Sequence, residues 1–67
     1  QSKFDVFSLG AVMSYDLSQW KELGDPPEKL SGDISNLIDK MLNAHPYERI
    51  TIKDAYVEMS SIIEKNF

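Results

Sequence analysis

The stretch SKFDVFSLGAVM, Ser2 to Met13, decides the fold because it predicts a helix with apolar residues on nearly every side. Its first letters have the form of a capping box, in which the Ser2 hydroxyl accepts from a backbone amide and Asp5 reaches back. One stripe, spaced by three and four residues, consists of Val6, Leu9, Met13, Leu17 and Trp20. Other positions widen it: Phe4, Phe7, Ala11, Val12 and Tyr15. A helix that is apolar all round is a buried helix, so this segment, predicted over residues 3–20, needs cover from several sides.

Glycine and proline mark two special places along the chain. Gly10 lies inside the first predicted helix, where glycine is about 1 kcal/mol less favourable than alanine, and this predicts that another backbone approaches there. The segment KELGDPPEKLSGD, residues 21–33, is interrupted by Gly24, Pro26, Pro27 and Gly32. Such punctuation predicts a surface loop.

Two further helices are predicted downstream, over residues 33–44 and 51–65. The first is capped by Asp33 or Ser31, stops before Pro46, and has the apolar face Ile34, Leu37, Ile38, Met41 and Leu42. The second begins with TIKD, a capping-box candidate at Thr51. Its apolar face is Ile52, Ala55, Tyr56, Met59, Ile62 and Ile63. The corner HPYERI separates the two helices, and together the three helices predict an all-α chain.

Composition excludes several classes of function. The 67 residues include 11 acidic and 7 basic side chains, giving a net charge of −4. A scattered basic minority cannot hold a phosphate backbone, so nucleic acid is not an expected partner, and no apolar run has the length of a membrane span. The chain has no cysteine and one histidine, which excludes disulfides and ordinary zinc sites and fits a reducing, cytoplasmic or nuclear compartment. Its first residue is Gln1 rather than methionine, which favours a piece of a longer protein.

Two segments, in the right order, resemble motifs of eukaryotic protein kinases. FDVFSLGAVM (Phe4–Met13) is similar to the D-V-W-S-L-G-V-V-L motif that opens the long buried helix of the kinase C-terminal lobe. DISNLIDKMLNAHPYERITIKDAY (Asp33–Tyr56) is similar to the later pattern L-I-x-x-M-L-x-x-D-P-x-x-R-I-T-x-x-x-A. The resemblance implies that residues 1–67 are one partial domain, an all-α fragment of three helices from the C-lobe. The parent protein would then transfer phosphate from ATP, with serine or threonine as the favoured acceptor.

The resemblance also implies supporting roles for five residues. Asp5 matches the aspartate that accepts backbone amides of the catalytic loop; the alternative is that it only completes the cap of its own helix. Arg49 matches the arginine that pairs with the glutamate of the A-P-E motif, which this chain lacks; the alternative is an ordinary surface arginine. Phe7 replaces the usual tryptophan as a core aromatic. Leu9 and Val12 match buried positions beneath the hydrophobic spines, a role close to plain helix packing.

The catalytic parts of a kinase have no counterpart in these residues. Phosphoryl transfer needs a glycine-rich loop, a strand lysine, a catalytic aspartate and a magnesium-binding aspartate. The sequence contains no G-x-G-x-x-G, H-R-D or D-F-G, so no catalytic, cofactor or metal residue is predicted, and ATP and magnesium would belong to the parent. The expected partners are the catalytic loop and activation segment of the remaining kinase domain, and a protein substrate or docking partner of the parent.

Three departures from the kinase pattern leave other functions open. The segment 18–32 is shorter than usual, Tyr15 and Asp16 look shifted by one position, and His45 replaces an aspartate, where a solvated turn residue is the favoured interpretation. These departures suggest a divergent kinase or a pseudokinase, in which the bare flank of the first helix is a docking face. A further alternative is a free-standing three-helix interaction domain. A helix-turn-helix is disfavoured because the chain is acidic and lacks a basic recognition helix.

Overall fold

A computed structural model describes residues 5–67, and these form three α-helices and no strand. Helix α1 spans Val6–Leu23, α2 spans Glu28–Met41 and α3 spans Ile52–Asn66. The prediction of an all-α chain is therefore confirmed for this part of the sequence. The predicted cap Ser2 and the apolar residue Phe4 lie outside the described residues. No helix within residues 5–67 combines the length and the apolar character that a membrane crossing requires.

Helix α1 begins later and ends later than the predicted range 3–20. Its N-cap is Asp5, whose Oδ1 accepts a hydrogen bond from the backbone N–H of Ser8 at 2.9 Å. The helix continues through Leu23, and the N–H of Gly24 donates to the carbonyl of Trp20 at 3.1 Å. Lys21 lies in the last turn, where a cation interacts favourably with the negative end of the helix dipole.

Helix α2 corrects the prediction of a loop over residues 21–33. It begins at Glu28 with Pro27 as N-cap, so the linker from α1 is only residues 24–27. Pro27 directly precedes the first helical residue, and Glu28 places a negative charge in the first turn, where the helix dipole favours it. Neither Ser31 nor Asp33 is the cap; both lie inside the helix. The overlooked signal was Leu30, which is buried and extends the apolar spacing one turn toward the N-terminus.

The corner between α2 and α3 begins earlier in the sequence than predicted. Helix α2 ends at Met41 rather than residue 44, and the N–H of Leu42 donates to the carbonyl of Ile38 at 2.9 Å. Helix α3 then begins at Ile52, with the Thr51 hydroxyl accepting from the N–H of Asp54 at 3.1 Å. The predicted Thr51 cap is therefore confirmed.

Helix α2 lies at the centre and packs against both α1 and α3. The core is formed by Leu30, Leu37, Met41, Ala55 and Ile62. Ile38 is also buried. Helix α1 contributes one buried residue, Gly10, and lays Val6, Leu9 and Met13 partly buried against the core. The helix that the sequence predicts to be covered on all sides is thus covered on one side within the described chain.

Candidate functional site at the corner between α2 and α3

Arg49 organises the corner through hydrogen bonds and an aromatic contact. Its Nε donates to the carbonyl of Asn43 at 2.7 Å, and its Nη2 lies 3.5 Å from the carbonyl of Ala44. The guanidinium carbon lies 5.0 Å from the centroid of the Phe7 ring on α1, within the range of a cation–π interaction. Arg49 therefore joins the corner to the first turns of α1. Its planar fork of N–H groups suits a carboxylate partner, which is the chemistry that the kinase resemblance implies for it.

Asp5 stands beside this corner as the cap of α1. The hydrogen bond from the backbone of Ser8 is the main cause that holds the pKa of Asp5 below its ordinary value. Desolvation opposes this effect, and the positive charge of Arg49 supports it. The capping role, one of the two alternatives from the sequence, is therefore present. Capping occupies Oδ1. Because both oxygens of a carboxylate can accept hydrogen bonds, capping leaves Asp5 able to accept from further backbone amides.

Close contact between α1 and α2 fixes the position of this corner. A Cβ built on Gly10 would stand 2.9 Å from Cβ of Met41 and 3.2 Å from Cδ2 of Leu42. The predicted close approach at Gly10 is thus confirmed. Because α2 ends at Met41, this approach places the start of the corner against α1.

The other predicted supporting residues do not lie together in a core. Phe7 is 41 % exposed and lies against Arg49, so it is not part of the core that residues 5–67 form, and its role as a core aromatic of a larger domain stays a prediction. Leu9 is partly buried against the core, whereas Val12 is 44 % exposed. Val12 follows the α2-facing Gly10 by two residues, which is about 200° around the helix, so it lies on the side of α1 away from α2.

Two of the residues that depart from the kinase pattern, Asp16 and His45, are exposed in the structure. Asp16 faces solvent and the helix continues past it. His45 is exposed in the corner, and its carbonyl accepts from the N–H groups of Glu48 and Arg49, each at 3.0 Å. The interpretation of His45 as a solvated turn residue is confirmed. Its backbone N–H also donates to the side chain of Asn43 at 2.9 Å.

Two features were not predicted from the sequence: the hydrogen bonds that Asn43 accepts in the corner, and an apolar groove beside α1. Asn43 accepts from both Arg49 and His45, and its tendency to form turns was the only local signal. The groove lies between α1 and α3, with Leu37 and Met41 of α2 among its lining residues. It arises because the predicted apolar face of α3 is wider than α2 can cover: Ile52 and Tyr56, which line the groove, remain exposed.

Residues 5–67 contain no group of three or more histidine or carboxylate side chains that could hold a metal ion.

Comparison with known proteins identifies no relative: no protein-family model, curated protein or solved structure matches the chain.

Proposed function

We propose that this chain is the C-terminal helical part of a protein kinase-like domain, where it supports the catalytic loop and the activation segment. The parent protein would transfer phosphate from ATP, with magnesium, to serine or threonine in a protein substrate. These 67 residues supply none of the groups that carry out phosphoryl transfer. Their contribution is structural, and the motifs around Phe4–Met13 and Asp33–Tyr56 are the reason for naming this family.

The observation that carries the proposal is the bare outer flank of α1. Phe7, Ala11 and Tyr15 are spaced by four residues and are all exposed, with Tyr15 at 66 %. We call these three residues the outer flank. An isolated soluble helix normally carries polar residues on its outer face, whereas this one carries the Tyr15 ring, the Ala11 methyl group and a Phe7 ring that Arg49 covers in part. A protein surface that covers the outer flank is therefore expected, and the rest of a kinase domain would be such a surface.

The corner geometry supports the same assignment. Asp5 and Arg49 lie at the same end of α1, close enough for the charge of Arg49 to lower the pKa of Asp5. A catalytic loop bonded to Asp5 and an activation segment paired with Arg49 would then meet at one place. Phe7 holds the guanidinium against α1, so the arginine is positioned before its carboxylate partner arrives.

A second candidate is a small helical interaction module without catalysis, including the case of a pseudokinase. It is favoured by the core, in which Leu37 and Met41 are each 1 % exposed although the chain is short. Three helices that enclose such side chains can fold without further domains. This candidate predicts a sharper and more cooperative thermal melt of the isolated chain than a dependent fragment would show.

The experiment that tests the proposal is the intact mass of the native protein from its source, combined with N-terminal sequencing. A mass several times the 7.7 kDa of this chain, with an upstream strand lysine and both catalytic aspartates, is the expected result. A longer protein without those three residues would make the parent a pseudokinase. A native mass of 7.7 kDa would overturn the kinase assignment and leave the interaction module.

A further inference from the structure

The groove between α1 and α3 is a second apolar surface, separate from the outer flank. Its deep section has a volume of about 190 Å³ and is lined by side chains of all three helices. A shallow section of about 160 Å³ extends to Trp20. Met13 and Met59 line both sections, so the two are continuous. From Leu9, where the deep section begins on α1, to Trp20 the helix rises about 16 Å at 1.5 Å per residue, so the groove is roughly three turns long.

We propose that this groove binds one amphipathic helix of a separate partner protein, with the apolar face of that helix in the groove and a lysine or arginine of the partner beside Asp16. The proposal concerns these 67 residues by themselves and does not depend on the proposed kinase function. It is carried by the apolar lining, by the position of the methionines and by the charge at one end of the groove.

The apolar lining favours a helix over an extended peptide. In the deep section, the hydroxyl of Tyr56 is the one polar side-chain group among the described residues. The lining residues all lie within α1, α2 and α3, where backbone groups pair along the helix. A buried backbone group without a partner is unfavourable, so an extended peptide would leave its own donors and acceptors unpaired. A helix pairs its own backbone and presents only side chains.

The methionines make the groove adaptable to such a helix. All three methionines of the chain, Met13, Met41 and Met59, line the deep section. Methionine is flexible and polarizable, and it is over-represented at surfaces that bind varied apolar partners. Met13 and Met59 are only partly buried, so their side chains can adjust to apolar residues that a partner helix presents at spacings of three and four.

The charge at the shallow end favours a basic residue in the partner. Asp16 is the one charged side chain among the described residues that line either section, and it is exposed. Trp20 lines the same section, and the face of an indole ring attracts a cation. A carboxylate and an indole together favour an ammonium or guanidinium group. The net charge of −4 opposes a second copy of this acidic chain as the occupant, because like charges repel.

The test is a fluorescence titration of the full 67-residue chain, whose single tryptophan, Trp20, lines the groove. The probe is a capped peptide of about 14 residues, or roughly four helical turns. It has leucines spaced by three and four along one face, lysine at both ends, and alanine and glutamine elsewhere. The expected result is a saturable shift of the Trp20 emission with a dissociation constant between about 1 and 500 µM. Because a free peptide of this length is only marginally helical, the helical circular dichroism of the mixture should exceed the sum of the separate solutions.

Three outcomes of this titration would overturn the proposal. One is the absence of a shift up to about 500 µM. Another is a shift without a gain in helicity, which would mean that the occupant is not a helix. The third is an emission that changes with the concentration of the chain alone, which would mean that a second copy fills the groove. A peptide of the same composition with its leucines distributed around the helix is the matched control and should not bind.

Point variants locate the binding surface. Tyr56→Glu places a charge in the groove, so we expect the dissociation constant to rise about tenfold or more. Tyr47→Glu, in the corner, is the matched control and should leave it unchanged. Tyr56 and Tyr47 are 74 % and 102 % exposed, so neither variant disturbs the core, and an unchanged circular dichroism spectrum confirms folding. Equal losses of affinity in the two variants would overturn the groove as the binding surface.

A second pair of variants tests the basic residue of the partner. Asp16→Asn is expected to weaken binding of the lysine-ended peptide about two- to fivefold, the usual range for an exposed ion pair. Asp39→Asn removes the same charge from an exposed position of α2 outside the groove, and in about 0.15 M salt a distant charge is largely screened. A peptide that ends in glutamine should bind the original chain and both variants equally. A loss as large in Asp39→Asn as in Asp16→Asn would overturn the pairing with Asp16.

Discussion

Gly10 of α1 and Met41 of α2 lie so close that a methyl group on the glycine would stand 2.9 Å from Cβ of the methionine. The Met41 Cβ is fixed to its backbone and cannot rotate away, unlike the end of a long side chain. This contact explains why α1 has a glycine in its interior despite the lower helix propensity of that residue. It also sets the distance between α1 and α2, on which the position of the whole corner depends.

Gly10→Ala is expected to destabilise the chain. Overpacking of this kind is unfavourable by about 1–3 kcal/mol, which outweighs the roughly 1 kcal/mol that alanine gains in helix propensity. We expect a net loss of about 1 kcal/mol in the free energy of unfolding, measured by urea titration at one fixed protein concentration. A variant as stable as the original chain would mean that the helices can separate without loss.

Gly32→Ala is the matched control and is expected to have the opposite effect. Gly32 lies inside α2, and an added Cβ would meet no atom within 4 Å. The substitution removes backbone freedom from the unfolded chain and adds helix propensity, so a gain of about 0.5–1 kcal/mol is expected. The same urea titration measures it. A loss of stability at position 32 would contradict the helical assignment of residues 28–33.

The contact between Arg49 and Phe7 predicts a measurable coupling. In a double-mutant cycle with Phe7→Leu and Arg49→Gln, the interaction energy is expected to be about 0.5–1 kcal/mol in favour of the original pair. The loss of the hydrogen bond to Asn43 occurs in both Arg49→Gln proteins and so cancels from the cycle. Free energies of unfolding of the four proteins provide the measurement. Additive effects would show that the ring and the guanidinium are neighbours without attraction.

Local signals in the sequence predicted much of the fold. The spacing of Leu37, Ile38 and Met41 identified the buried face of α2, and the Thr51 cap defined the start of α3, because both patterns involve residues within two turns of each other. The predicted start of α2 was wrong for a physical reason. Pro26 and Pro27 restrict a few residues only, and Leu30 resumes the apolar spacing directly after them.

The candidate site depends on contacts that no local pattern contains. Phe7 and Arg49 meet because α1 and the corner after α2 pack together, and nothing in the spacing of either segment indicates the partner. The groove has the same origin, since α3 shows one apolar face from Ile52 to Ile63 and only the packing decides which half α2 covers. The family resemblance supplied roles for these residues but no geometry.

The lowered pKa of Asp5 predicts how stability depends on pH. A carboxylate whose pKa is lower in the folded state contributes stability above its unfolded pKa and loses it as the pH falls through the folded pKa. Asp5→Asn keeps a good helix cap but has no charge to titrate. The difference in melting temperature between the original chain and Asp5→Asn should therefore be constant above about pH 5 and shrink progressively below about pH 4.

Thermal melts of both proteins at several pH values provide the measurement. Thr51→Asn is the control, because it changes the cap of α3 without adding or removing a titratable side chain; its difference from the original chain should stay constant with pH. Since the bond from Ser8 and the charge of Arg49 both lower the pKa of Asp5, Arg49→Gln should move the acid transition of Asp5 to higher pH. A difference between the original chain and Asp5→Asn that persists unchanged to the lowest pH would contradict a charged cap at the start of α1.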